Sequence, residues 1–129
     1  MTKYTTIVVG AGAAGMMTAI AAANHGAKNI LILNATPRLG LKILMSGGGR
    51  CNITNAKLQY QKFYGESQNA IKKIIKQFPP QKVIEFLEEE GLKTKVEEPW
   101  DKYFPVDNKA KSVLDTLLNK LKKLDVKIE

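Results

Sequence analysis

The sequence predicts an α/β domain built on a parallel sheet, and three observations carry that expectation. Residues 4–33 read as strand, helix, strand, the unit whose crossover connection is right-handed. Three glycines, Gly10, Gly12 and Gly15, sit where the first strand meets the helix. Helical patterns then alternate with short strand patterns as far as Glu129.

Tyr4 to Val9 is β-branched and aromatic, as a buried parallel strand requires. Ala13 to Asn24 is a run of small residues predicted as a helix, ended by Gly26 at the position of a left-handed cap, with His25 beside it to cap carbonyls or face water. Asn29 to Leu33, with its unbroken Ile30-Leu-Ile-Leu33, is the second strand. Residues 34–55 form a Gly-rich connection longer than a turn needs, which marks it as functional. Ser67 to Phe78 places Ala70, Ile71, Ile74, Ile75 and Phe78 on one helical face before Pro79-Pro80 stops it. A further helix runs from Pro80 to Glu90 on a Val83, Ile84 and Leu87 stripe, closed by Gly91. Leu92 to Glu97 is expected as a short strand, and Pro99 to Pro105 as a loop carrying Trp100, Tyr103 and Phe104. From Asn108 to Leu124, Ala110, Val113, Leu114, Leu117, Leu118 and Leu121 recur at helical spacing, with Asp107 as its cap. Asp125 to Glu129 alternates like the start of another strand.

Composition narrows the function classes. With 129 residues the chain suits one modest core. One Cys and one His exclude an internal disulfide and leave no cluster for a zinc or iron-sulfur site. Charge is uneven: residues 1–65 hold seven Lys/Arg (Lys3, Lys28, Arg38, Lys42, Arg50, Lys57, Lys62) and no acid, within a chain of net charge +8. The rest is nearly balanced, 13 basic against 12 acidic. This asymmetry favours an anionic ligand at the N-terminal half, phosphate groups or a nucleic acid. The apolar stretch Ile7 to Ala23 superficially resembles a signal peptide, but its three glycines sit at spacings with another explanation, and it is too short and Gly/Ala-rich for a membrane span. The expectation is a cytoplasmic protein with no membrane partner, in which Asn52-Ile53-Thr54 is a chance glycosylation match.

Gly10-x-Gly12-x-x-Gly15, between a strand and a helix and with a second strand at the right distance, is the context of a dinucleotide corner in a Rossmann-like fold. Gly10 permits the tight turn, Gly12 lets backbone approach a diphosphate, and Gly15 lets helix and strand pack closely. Helix amides, including those of Ala13 and Ala14, and the helix dipole then hold the phosphate charge. An acid is expected at the end of the second strand to accept from the adenosine ribose, yet Asn34 stands there. The amide loses about 1 to 2 kcal/mol of that contact, so Asn34→Glu is expected to tighten binding of an adenine dinucleotide. Alternatively, Asn34 with Arg38 tolerates a 2′-phosphate, pointing to NADP.

The stretch Leu31 to Asn55, with Ser46-Gly-Gly-Gly-Arg-Cys-Asn52 followed by Thr54-Asn55, closely resembles the BaiN/YhiN-type flavoproteins. Tyr103-Phe-Pro-Val-Asp-Asn-Lys-Ala110 resembles that family's next block. The resemblance implies the N-terminal portion of an FAD-dependent oxidoreductase, with NAD(P)H as candidate electron donor and a parent about three times longer. It divides the chain into a dinucleotide unit at 1–34, a cofactor loop at 35–55, and helices with the start of a further strand at 56–129. The catalytic residues and the rest of the enzyme then lie beyond Glu129, and substrate and oligomeric state stay open. Expected cofactor-binding residues are Gly10, Gly12, Ala13, Ala14, Gly15, Asn34, Lys42, Ser46, Gly47, Gly48, Gly49, Arg50 and Cys51, with Lys42 or Arg50 supplying positive charge beside the flavin. Two departures from the family pattern, Asn34 for Glu and Leu41 for a basic residue, fall on the adenosine side. Cys51 reads as a small ligand-adjacent residue, since no second cysteine exists to resolve a redox thiol. Other readings are an NADP-binding domain, a fragment that folds without ligand, and, last, a basic nucleic-acid module, which lacks an aromatic-interleaved basic patch.

Overall fold

Four-residue strands and two long helices build the half of the molecule that carries the glycine corner. A computed structural model describes residues 3–129. Strands β1 (Thr6–Val9) and β2 (Ile30–Leu33) pair in parallel, Thr6 opposite Ile30 and Val9 opposite Leu33. Helix α1 (Ala13–Asn24) makes the crossover between them. The terminal segment joins the same sheet as β6 (Lys127–Ile128), parallel to β2, so the order is β1-β2-β6.

Small residues let α1 lie close to the sheet. Met16, Ala19 and Ile20 of α1 and Ile32 of β2 are fully enclosed, together with Leu121 of helix α5 (Ala110–Lys123). Gly26 takes φ +93° after α1, as the left-handed cap requires, and His25 Nδ1 lies 2.8 Å from the Ala21 carbonyl. The other face of the sheet is open: Val9 is 85% exposed, and Ile7 and Leu33 are also accessible. Parallel sheets ordinarily bury both faces.

The Gly-rich connection contains a short helix α2 (Leu41–Met45) and a tight turn at Ser46–Gly49 that the sequence reading did not separate. Its end forms β3 (Thr54–Asn55). Helices α3 (Gln68–Gln77) and α4 (Pro80–Glu89) follow as expected; Ser67 caps α3 by accepting from the Ala70 amide, and Ile84 and Leu87 of α4 are buried. The apolar face of α3 is left largely open: it has no fully buried residue, Ile71 and Ile75 are half-buried, and Ile74 is exposed.

One expectation is corrected. Residues 99–105 are not all loop, because Lys102–Pro105 forms β5, the centre of an antiparallel sheet β3-β5-β4 with β4 at Thr94–Glu97. Phe104 is buried beneath it, while Trp100 stays exposed. Asp107 acts two residues ahead of the first cap position of α5, accepting from the Lys109 amide and the Ser112 hydroxyl.

Glu90, at the end of α4, ties that helix to α5 through Lys120 and, at 3.1 Å, Lys123. These partners, Lys120 first, hold the Glu90 carboxyl below its ordinary value. A depressed carboxylate stabilises the fold above its unfolded pKa, and that contribution is lost as pH falls through the folded one. Glu90→Gln is therefore expected to cost about 1 kcal/mol at neutral pH. In thermal melts the difference from the parent should close well below the ordinary glutamate value of about 4.3. A pH-independent difference contradicts the ion pair.

Candidate nucleotide site at the glycine corner

The strand-to-helix corner is shaped by backbone. Gly10 has φ +100°, and its amide donates to the Leu33 carbonyl at 2.7 Å, fixing the end of β1 against β2. A Cβ on Gly15 would fall 1.9 Å from the Gly10 carbonyl oxygen, so close passage of α1 over β1 demands glycine there. Gly12 differs: its φ is −90°, and a Cβ would meet nothing within 4 Å. No side chain caps the start of α1, and its first turn holds no acid. The amides at Gly12 to Ala14 thus face an open cleft with the positive end of a twelve-residue helix behind them.

The cleft has a volume of about 830 Å³. Gly10, Gly12, Ala13, Ala14, Asn34, Lys42, Ser46 and Cys51 border it, eight of the residues expected from the sequence. Gly15 lies under the corner as a packing residue. Gly47, Gly48, Gly49 and Arg50 are not on its lining. Gly47 to Gly49 all take positive φ, so the loop folds onto itself, with the Cys51 amide donating to the Ser46 carbonyl at 2.9 Å. A Cβ on Gly47 would lie 2.6 Å from the Asn52 nitrogen.

Arg50 and Lys42, equivalent as charges in the sequence, differ in the fold. The Arg50 guanidinium pairs with both carboxylate oxygens of Glu97, at 2.9 and 3.0 Å, and lies 4.0 Å from the Phe104 ring centroid. Glu97 is shared with Lys95 at 3.0 Å, and the Arg50 pair pins the glycine loop to the hairpin. Lys42 and Arg38 are the two charged residues of the cleft lining, and among the described residues neither makes an ion pair. Among the described residues, no Asp or Glu lines the cleft.

Asn34 has a role that spacing alone could not show. Its Oδ1 accepts from the Ala11 amide at 3.0 Å, while its Nδ2 donates to the Thr36 carbonyl at 2.6 Å. The Ala11 carbonyl in turn accepts from Gly40 at 2.9 Å. The carboxamide therefore latches the glycine corner to the loop after β2. A carboxylate can accept from Ala11 but cannot donate to Thr36. Asn34→Glu is expected to lower fold stability by about 1 kcal/mol through loss of the exposed bond to the Thr36 carbonyl, even where its charge helps a ribose. A melting temperature equal to the parent's contradicts the latch.

Cys51 is buried at φ +61°, and desolvation pushes its thiol up, which keeps it protonated and unreactive at neutral pH. The opposite wall of the cleft was missed from sequence: Met17, Phe78, Val83, Phe86, Val113 and Leu117 form an apolar surface beside the glycine corner. Their helical spacing is the same signal that core residues give, so nothing distinguished wall from core.

Comparison with known proteins bears on the family and the fold. The chain is 36% identical over 122 residues to a 3-dehydro-bile acid delta(4,6)-reductase from Clostridium scindens, covering 94% of this chain and 29% of that protein. It is 30% identical over 126 residues to a ribosomal RNA dihydrouridine synthase from Escherichia coli, covering 98% of this chain and 31% of that protein. It thus spans about a third of the length of these relatives. The fold is similar to the crystal structure of Thermovibrio ammonificans THI4, with a TM-score of 0.59 at 14% identity, covering 96% of this chain and 37% of that one. The family model described as HI0933-like protein Rossmann domain matches residues 4–129, and the chain belongs to that family.

Proposed function

We propose that this chain forms the adenine-nucleotide-binding part of an FAD-dependent oxidoreductase. The observation that carries the reading is the uncapped, acid-free start of α1, opening through Gly12 into a cleft whose two charges are both positive. A diphosphate fits there: the glycine leaves room for it, the amides at Gly12 to Ala14 donate to it, and Lys42 adds charge. Asn34 borders the ribose end, and the apolar wall from Met17 to Leu117 offers a dry surface to flat rings. When bound, FAD supplies the hydride and electron chemistry, and the chain contributes binding, orientation and exclusion of water.

The relatives' names suggest a substrate class. One is a ribosomal RNA dihydrouridine synthase and the other a 3-dehydro-bile acid delta(4,6)-reductase. Reduction of an unsaturated acceptor, with NAD(P)H as donor, is the reading favoured for the whole protein. The chain spans 29% of one relative and 31% of another.

The test is to denature the purified longer protein, or this chain after reconstitution with FAD, and record the released flavin spectrum. Near-equimolar flavin is expected. Saturating FAD at a hundred times its Kd should stabilise the chain by about 2.7 kcal/mol. Protein that releases no flavin and melts unchanged with FAD contradicts the proposal.

A further inference from the structure

The glycine loop presents one side to the cleft and the other to the β3-β5-β4 sheet. Ser46, Cys51, Asn52 and Ile53 line the cleft, whereas Gly47 to Arg50 do not. Gly47, Gly48, Gly49 and Cys51 take positive φ, between 58° and 83°, while Arg50 stays at −96°. Glycines lose the most conformational freedom on ordering, and a left-handed cysteine adds strain, so such a turn keeps one shape only where its surroundings fix it. Its own bonds, from the Cys51 amide to the Ser46 carbonyl at 2.9 Å and from Ser46 Oγ to the Ile43 carbonyl at 3.0 Å, close the turn without tying it to the sheet. The tie comes from β4 and β5. Arg50 Nη1 donates to both Glu97 oxygens, at 2.9 and 3.0 Å, and Lys95 holds the same carboxylate at 3.0 Å. The buried Phe104 ring lies 4.0 Å from the guanidinium carbon, and a Cβ on Gly47 would come 3.0 Å from its edge.

On the reading of the cleft as an FAD site, we infer that Arg50 and Glu97 are positioning residues for the part of FAD that extends beyond the diphosphate. They act from behind the loop, holding Ser46, Cys51, Asn52 and Ile53 in the shape that completes the cleft wall. The phosphate corner stands without them: Gly10 is fixed on Leu33, and Asn34 on Ala11 and Thr36. ADP ends at the diphosphate and needs only that corner, whereas FAD continues past it and needs the further wall.

The test titrates the chain with ADP and with FAD and follows amide exchange in the ligand-free protein. In Arg50→Gln and in Glu97→Gln, a fall of the competent loop population to about one tenth weakens FAD about tenfold and leaves ADP within about twofold. The Cys51 amide should exchange faster in both. Arg50→Lys, which keeps the charge and loses the planar stacked group, should recover part of the FAD affinity. The double variant should bind FAD no more weakly than either single one, as expected of residues acting as one pair. Unchanged FAD affinity in both single variants overturns the inference and leaves the nucleotide site standing. Equal weakening of ADP and FAD, or losses that add in the double variant, overturns it too, because the effect is then general destabilisation or independent charge. A parent that binds ADP but not FAD overturns the FAD reading, and one that binds neither at millimolar concentration overturns the nucleotide reading, each taking this inference with it.

Discussion

Gly15→Ala is expected to destabilise the chain by about 3 kcal/mol, the upper range for overpacking a tight contact. The added Cβ would meet the Gly10 carbonyl oxygen at 1.9 Å and the Gly10 carbonyl carbon at 3.1 Å, both backbone atoms. Gly10 cannot retreat cheaply, since its φ of +100° and its 2.7 Å bond to Leu33 define the end of β1. Relief must come from moving α1, whose Met16, Ala19 and Ile20 are fully enclosed. For a chain of this size the melting temperature should fall by roughly 10 °C. A drop under about 2 °C would show that helix and strand are not in contact there.

Gly12→Val should do the reverse, leaving stability untouched and removing the ligand. At φ −90° and ψ −176° the position is ordinary extended backbone, and a Cβ there meets nothing within 4 Å. The branched side chain instead fills the space in front of the α1 amides, where a diphosphate has to sit. Affinity for ADP should fall at least about 100-fold, or about 2.7 kcal/mol, with a melting temperature equal to the parent's. The pair of variants thus tests separately the two roles that the spacing Gly10-x-Gly12-x-x-Gly15 assigns to Gly12 and Gly15. Gly15 serves packing and Gly12 serves access.

Local signals were legible in the sequence, and non-local ones were not. The β1-α1-β2 unit could be read because its evidence lies within consecutive residues: the apolar Ile30 to Leu33 run, the glycines, and Gly26 at the helix end. Helices α3, α4 and α5 announced themselves by period, by Ser67 and by Pro79-Pro80. Strand β5 did not, because Lys102 to Pro105 lies between prolines and owes its strand conformation to partners at Thr54 and Val96. Arg50 resembled a free cation beside a glycine loop, and only folding brings Glu97 within 2.9 Å of it. At Asn34 the sequence showed a missing acid but not the latch to Ala11 and Thr36. The apolar face of α3 and the open face at Ile7 and Val9 carry the same lesson: a periodic pattern states that a surface is apolar, not what covers it.

The most direct test of the glycine corner is an amide-resolved NMR titration of the chain with ADP. Saturable shifts concentrated at Gly10, Gly12, Ala13 and Ala14, extending to Asn34 and Lys42 and abolished by Gly12→Val, are the expected result. Shifts confined to the Arg50–Glu97 hairpin or the α3 surface, or no saturable shift at millimolar ADP, would contradict a phosphate site at the start of α1.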